Sequence, residues 1–263
     1  MIIEYTIQSI GELIDFFFLN LTDENYEKRM DYTFRGQKNA NYQLISSLKR
    51  NPRDDVALTE VRSLNNFRKY TGLYEESIHS SVWRRMIIAQ HHGLPTRCLD
   101  FSFSPLVALH FALCDNEKDQ DAAVWAINHK ALHGLLPEKY KKALVEEGNV
   151  ISFTLEILEK MQITINNYDE DMGNRSLIFL EPPSIDERII NQFSHLAIIP
   201  RELDPLDNFL KNLPFEKAVY KFIIPRKKIP VFRSQLDSMN ITERVLFPGL
   251  DGTSSYLKRR YHC

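Results

Sequence analysis

The run Gln90-His91-His92-Gly93-Leu94-Pro95-Thr96-Arg97-Cys98-Leu99-Asp100-Phe101-Ser102-Phe103-Ser104-Pro105-Leu106-Val107-Ala108-Leu109-His110-Phe111-Ala112 decides how this chain is read. Gly93 and Pro95 stop the helical text that precedes them, because glycine takes the left-handed cap conformation and proline cannot continue a helix. Ser104-Pro105 then opens a second helix, with a capping hydroxyl followed by proline at the first helical position. From Leu106 to Cys114 this helix is almost wholly apolar. A helix without a polar face is buried, so it is the central helix of the fold. Between the two helices stands a loop carrying Arg97, Asp100 and the Ser102-Phe103-Ser104 pair of hydroxyls.

Working outward, Ser9 and Glu12 form a capping-box start to an apolar helix through Leu13, Ile14, Phe16, Phe17 and Phe18. Asp31 to Gly36 reads as a short strand of Tyr32, Thr33 and Phe34, broken by glycine and a polar run, which puts Arg35 at a strand end. Leu58 to His92 is helical, with Val61, Leu64, Phe67 and Tyr70 near the helical period. Further strands are expected over Ala122 to Ile127, Ser176 to Leu180, His195 to Ile199 and Val219 to Ile224, the first after a polar turn at Asp115 to Asp121. Leu132 to Met161 reads as solvent-facing helix, an inserted lobe at about 130–165. Two helices around a Phe247-Pro248-Gly249 break complete the chain. These elements describe one α+β domain with a mixed sheet, a buried central helix and a helical insertion.

Composition narrows the function. The 263 residues, 43% hydrophobic, suffice for one full core. With 33 basic and 35 acidic side chains the net charge is −2, so the molecule as a whole has no field that would draw nucleic acid or anionic lipid. No signal layout and no apolar run of about 20 residues appears, and a cytoplasmic location is expected. Cys98, Cys114 and Cys263 form no ligand pair and no even framework, as free thiols in a reducing compartment do. His91 and His92 are adjacent, so they diverge by about 100° and cannot make the i, i+4 pair of a helical zinc site; no metal is expected. With only nine glycines, the chain contains no Gly-x-Gly-x-x-Gly, Walker or nucleophile-elbow motif.

Thr33-Phe34-Arg35-Gly36-Gln37, the central run, Glu187-Arg188-Ile189-Ile190-Asn191-Gln192 and Leu246-Phe247-Pro248-Gly249-Leu250-Asp251-Gly252 together resemble the FRG domain family, in order and over nearly the whole chain. In that family the third block usually continues with glycine and phenylalanine, where this chain has Phe193-Ser194-His195-Leu196. An arginine at a strand end, a Ser-x-Ser loop before a buried helix and a late polar block also stand in the order used by mono-ADP-ribosyltransferases. That similarity implies an ADP-ribosyltransferase-like arrangement and NAD as substrate, and the FRG resemblance implies a toxin or antiphage defence effector.

On this resemblance Arg35 grips a phosphate bidentately, with Gly36 and Gln37 beside it, and Arg97 supplies a second grip. Asp100 orients Arg97 or contacts a ribose, and Ser102 and His92 line the pocket. Glu187 and Gln192 are the catalytic candidates, since the oxocarbenium-like ribose needs negative charge beside it. The Glu-x-Glu or Gln-x-Glu pair of many transferases is missing. The expected partners are a small nucleotide and a macromolecular acceptor or inhibitor, with no membrane. Two alternatives stay open: a noncatalytic nucleotide-binding sensor, and a nucleic-acid-directed protein using the terminal Lys258-Arg259-Arg260 cluster.

Overall fold

The computed structural model describes residues 1–17, 31–50, 55–71, 74–114 and 120–261. Phe18, Cys263 and most of the turn expected before Ala122 lie outside them. In chain order the elements are β1 (Ile3–Thr6), α1 (Ile10–Asp15), β2 (Tyr32–Gln37), α2 (Ser47–Arg50), α3 (Val56–Thr71), α4 (Val82–His91), β3 (Cys98–Ser102), α5 (Pro105–Leu113) and β4 (Ala122–Asn128). There follow α6 (His129–His133), α7 (Glu138–Glu146), β5 (Phe153–Thr154), α8 (Leu155–Met161), α9 (Ile165–Met172), β6 (Ile178–Glu181), α10 (Glu187–Asn191) and β7 (Ser194–Ile198). The last are α11 (Leu206–Lys211), β8 (Val219–Ile224), α12 (Ile229–Ser238), α13 (Glu243–Leu246) and α14 (Leu250–Tyr261).

The strands form one mixed sheet in the order β1-β8-β4-β2-β3-β7-β6-β5. β1–β8 and β5–β6 are parallel, and the five inner pairings are antiparallel. Side chains alternate across the pleat. On β4, Ala122, Val124 and Ala126 join a core with α1, α5 and α12, while Trp125 and Ile127 join a core on the other face. On β6, Ile178 and Leu180 pack under α3, α4, α7, α8 and α9, while Phe179 enters the same opposite core as Trp125. One face of the sheet thus carries two cores side by side, and the other carries one.

The central helix is where its composition places it. Ser104 Oγ accepts from the Val107 N–H at 3.3 Å as the cap of α5. Ala108, Leu109 and Ala112 are buried against Phe34. Gly36, two residues on and on the same face, is what lets α5 come so close: a Cβ there would lie 2.0 Å from the Ala108 carbonyl oxygen and 2.5 Å from the Ala112 nitrogen.

Three expectations change. The loop read between Pro95 and Ser104 contains β3, paired with β7 over its whole length. The helical text from Leu58 to His92 is two helices, α3 and α4, with a short 3-10 turn at Glu76–His79 between them. The segment 130–165 is helical but not solvent-facing: Tyr140, Phe153, Leu155 and Leu158 are fully buried, and Phe153–Thr154 adds an edge strand beside β6. Its Lys and Glu residues cover the outside of helices whose inner faces belong to the core.

Candidate functional site

β2 and β3 are neighbours at the centre of the sheet, yet their ladder has one rung, Phe34 opposite Ser102. Past that rung β2 stays with β4 and β3 stays with β7, so the sheet forks. A cavity of about 700 Å³ occupies the fork. Residues of both faces line it, Gly36, Asp100 and Ser102 from one and Arg35 and Gln37 from the other, together with Gln192 at the end of α10. Its size suits a small-molecule ligand.

Arg35 spans the gap. Its Nη1 donates to the Asp100 carbonyl, its guanidinium lies 5.9 Å from the centre of the Phe101 ring, and its Nε has no hydrogen-bond partner. Burial lowers the pKa of this guanidinium, Asp100 opposes the shift and Arg50 adds to it. An arginine remains charged regardless, so the penalty is one that an anion in the cavity would relieve. The Asp100 carboxylate is exposed to the cavity and held in place: Gln90 Nε2 donates to both of its oxygens at 3.0 Å, and Gln90 Oε1 accepts from the buried Thr96 hydroxyl. That relay fixes which way the Gln90 amide faces.

Gln37 and Ser102 line the cavity with their polar atoms already engaged. Gln37 Oε1 accepts from Trp125 Nε1 at 2.7 Å and its Nε2 donates to the Gln43 carbonyl. Ser102 Oγ donates to the Gln192 carbonyl at 2.7 Å, and Gln192 Nε2 donates to the Leu246 carbonyl. These contacts tie the start of β7 and the helix α13 to the fork. Gln192 thus lines the cavity with its Nε2 bonded to the Leu246 carbonyl and its main chain bonded to Ser102.

Three expected site residues lie outside the fork. Arg97 is buried and faces away from the cavity: its Nε donates to Glu60 Oε1 at 2.7 Å, its Nη1 to Asp169 Oδ1 at 2.5 Å, and Asp100 is not its partner. This brace joins β3 to α3 and α9. Glu187 is exposed and does not line the cavity. α10 begins at Asp186, whose Oδ1 caps the Ile189 N–H, and residues four apart share a helix face. Arg188 and Gln192 thus turn inward together, and Glu187, about 100° away, turns out. His92 is exposed at the C-terminal cap of α4 and lines an adjoining depression instead of the fork.

Arg50, Gln90, Phe111 and Arg188 line the cavity without having been singled out in the sequence, as does His91, which was weighed only as a metal ligand. Arg188 stood inside the third block without a role. It lies 5.0 Å from the centre of the Phe247 ring and donates to the His91 carbonyl. Among the described lining residues Asp100 is the one carboxylate, facing the guanidiniums of Arg35, Arg50 and Arg188. A protein with a net charge of −2 therefore presents a locally basic cavity.

Residues 30–121 match the family model of the FRG domain. This stretch is similar to an FRG domain. It runs from β2 through α5 and holds Arg35, Gly36, Gln90, Asp100 and Ser102, which form one side of the fork. The blocks at 187–192 and 246–252 lie outside the matched residues, although in space Arg188 and Gln192 line the cavity from the opposite side and Gln192 bonds to the Leu246 carbonyl. No curated protein and no solved structure matches the chain.

Two other groupings are satisfied internally in whole or in part. His110, Cys114 and Glu243 approach within 4.8 Å of one another, a spacing fit for a cation. However, Glu243 accepts from both Arg233 and Arg259, and Arg233 Nη1 lies 3.1 Å from His110 Nδ1, so a guanidinium holds that place. In the terminal basic cluster Arg259 is bidentate to Asp237 and bonded to Glu243, and Arg260 Nη1 donates to the Tyr256 hydroxyl. Arg259 is committed within the fold, while Lys258 and Arg260 are exposed. No helix among the described residues is long and apolar enough to cross a membrane.

Proposed function

We propose that the fork binds NAD and that the protein cleaves the bond between ribose and nicotinamide, by ADP-ribosyl transfer or hydrolysis. The carrying observation is a cavity in which three guanidiniums, from Arg35, Arg50 and Arg188, surround one braced carboxylate, Asp100. Planar guanidiniums match the oxygens of a diphosphate. The charge sum at the fork, four cations (Arg35, Lys38, Arg50 and Arg188) against one carboxylate, suits an anionic ligand. Asp100 takes the part first given to Glu187: its negative charge, fixed by Gln90, stabilises the oxocarbenium-like ribose as the bond to nicotinamide ionises. A carboxylate already oriented loses no further freedom at that moment.

The role of effector, toxin or antiphage defence, exerted in the cytoplasm where NAD is at hand, follows from this reading together with the family resemblance. The test is incubation of the pure protein with NAD, following nicotinamide by chromatography and binding by calorimetry. Wild-type protein is expected to bind NAD and release nicotinamide, Arg35→Ala to lose binding, and Asp100→Asn to bind but lose turnover by about 100-fold or more. Binding without turnover in the wild type would instead favour the noncatalytic sensor. That version draws support from the presence of a single carboxylate in the described cavity. Absence of binding would sink both.

A further inference from the structure

Beside the fork lies a second depression of about 520 Å³, which shares Gln90, His91, Asp100 and Arg188 with it. Asp100 therefore stands on the boundary between two spaces. The fork contributes Arg35 and Arg50 on one side. Past Asp100 the lining changes to Ser47, His92, Gly93 and Leu94, which include an imidazole and a hydroxyl but no further guanidinium.

The two adjacent histidines differ in what is left to them. His91 Nε2 lies 2.5 Å from Asp186 Oδ2, which commits that ring to holding α10 against α4. His92 lies edge-on to it, ring centres 5.3 Å apart, and is exposed, with no hydrogen bond to its nitrogens among the described residues. The next residue, Gly93, adopts φ +83° at the end of α4, and a Cβ there would meet nothing within 4 Å. The ground beside the His92 ring is open.

We propose that this depression is the acceptor subsite, taking a hydroxyl-bearing acceptor or water, and that the His92 imidazole removes its proton. This rests on the NAD reading of the fork. The acceptor oxygen forms a bond to the ribose carbon as the carbon–nitrogen bond breaks, the bonding pair leaves on the nicotinamide nitrogen, and the acceptor proton passes to His92. No electron acceptor or metal is needed. Asp100, lining both spaces, faces the ribose carbon at the point where donor and acceptor meet.

The experiment compares wild type with His92→Ala, an exposed substitution that leaves the fold intact, in buffer containing NAD. Binding is read by calorimetry and nicotinamide by chromatography. His92→Ala is expected to bind NAD within about twofold of wild type, to turn over about 100-fold more slowly, and to recover part of that loss when imidazole is added. A purely structural role would give no rescue by imidazole. Unchanged turnover in His92→Ala, or a loss that imidazole leaves untouched, overturns the acceptor subsite while the NAD reading stands. A wild type that releases no nicotinamide removes the NAD reading, and the subsite with it.

Discussion

Arg35 lies on β2 and Arg97 immediately before its neighbour β3, and the fold uses them in opposite ways. Arg97 has two carboxylates bonded to it, Glu60 from α3 and Asp169 from α9, the second shared with Arg201. Arg35 has the Asp100 main-chain carbonyl, an unpartnered Nε and a cavity of about 700 Å³. What separates a brace from a binding residue is the supply of buried acids from elements distant in sequence. The guanidinium itself is the same in both. Side by side, the two arginines make the functional reading open to attack by experiments that should affect one and spare the other.

Acid should part stability from binding by the widest margin, because it leaves both arginines charged and reaches the fold through its histidines. Burial lowers the pKa of His110 and His133 to about 4 from an ordinary 6.5 and puts His129 and His195 well below it. Between pH 6.5 and 4 the unfolded chain therefore binds more protons than the native one. Stability is full above pH 6.5 and falls as the pH drops through that window, by up to about 1.4 kcal/mol per pH unit for each histidine. Urea unfolding at several pH values measures the slope. A flat profile from pH 7 to 4.5 would mean these rings are not held neutral.

Arg97→Met tests the brace. It leaves Glu60 buried without its cation while Asp169 keeps Arg201 at 3.2 Å, and the expected loss is about 3–5 kcal/mol of unfolding free energy. Chemical denaturation gives that number directly. If the variant keeps wild-type stability, Arg97 is not structural and its exclusion from the site must be revisited.

Arg35→Gln is the counterpart, with a smaller effect on a different observable. Stability is expected to stay within about 1 kcal/mol, since one hydrogen bond to a carbonyl is lost and the burial penalty of a charge goes with it. Affinity for NAD is expected to fall about 10-fold to 100-fold, the cost of one charge-assisted contact. An unfolded Arg35→Gln beside a well-folded Arg97→Met would invert the comparison.

Some of this was legible before any coordinates. The cap at Ser104, the buried α5 and the strand carrying Arg35 followed from patterns confined to neighbouring residues, where hydroxyl, proline and apolar period act over a few positions. β3 was missed because Asp100 interrupts its apolar residues and Arg97 stands just before them: a five-residue strand with a carboxylate at a cavity does not read as alternating. Arg97 was misjudged because Glu60 and Asp169 are 37 and 72 residues away, and no local pattern announces such partners. Arg50 and Arg188 were overlooked for the same reason, since their nearness to Arg35 exists only once the sheet has forked. The segment 130–165 looked solvent-facing because its charged residues outnumber the few large side chains that it buries.

The smallest effect belongs to Glu187, and it is the sharpest test of how α10 is oriented. In the sequence Glu187 was the carboxylate at hand for a developing cation. On the helix it stands about 100° from Arg188, which together with Gln192 faces the fork. Glu187→Gln is therefore expected to change NAD affinity and nicotinamide release by less than about twofold, with stability lowered by no more than about 0.5 kcal/mol through loss of a charge favourable at a helix N-terminus. Steady-state kinetics beside Asp100→Asn decide it. A drop in Glu187→Gln matching that of Asp100→Asn would mean that α10 turns when ligand binds, bringing Glu187 inward, and the single-carboxylate site would give way to a pair.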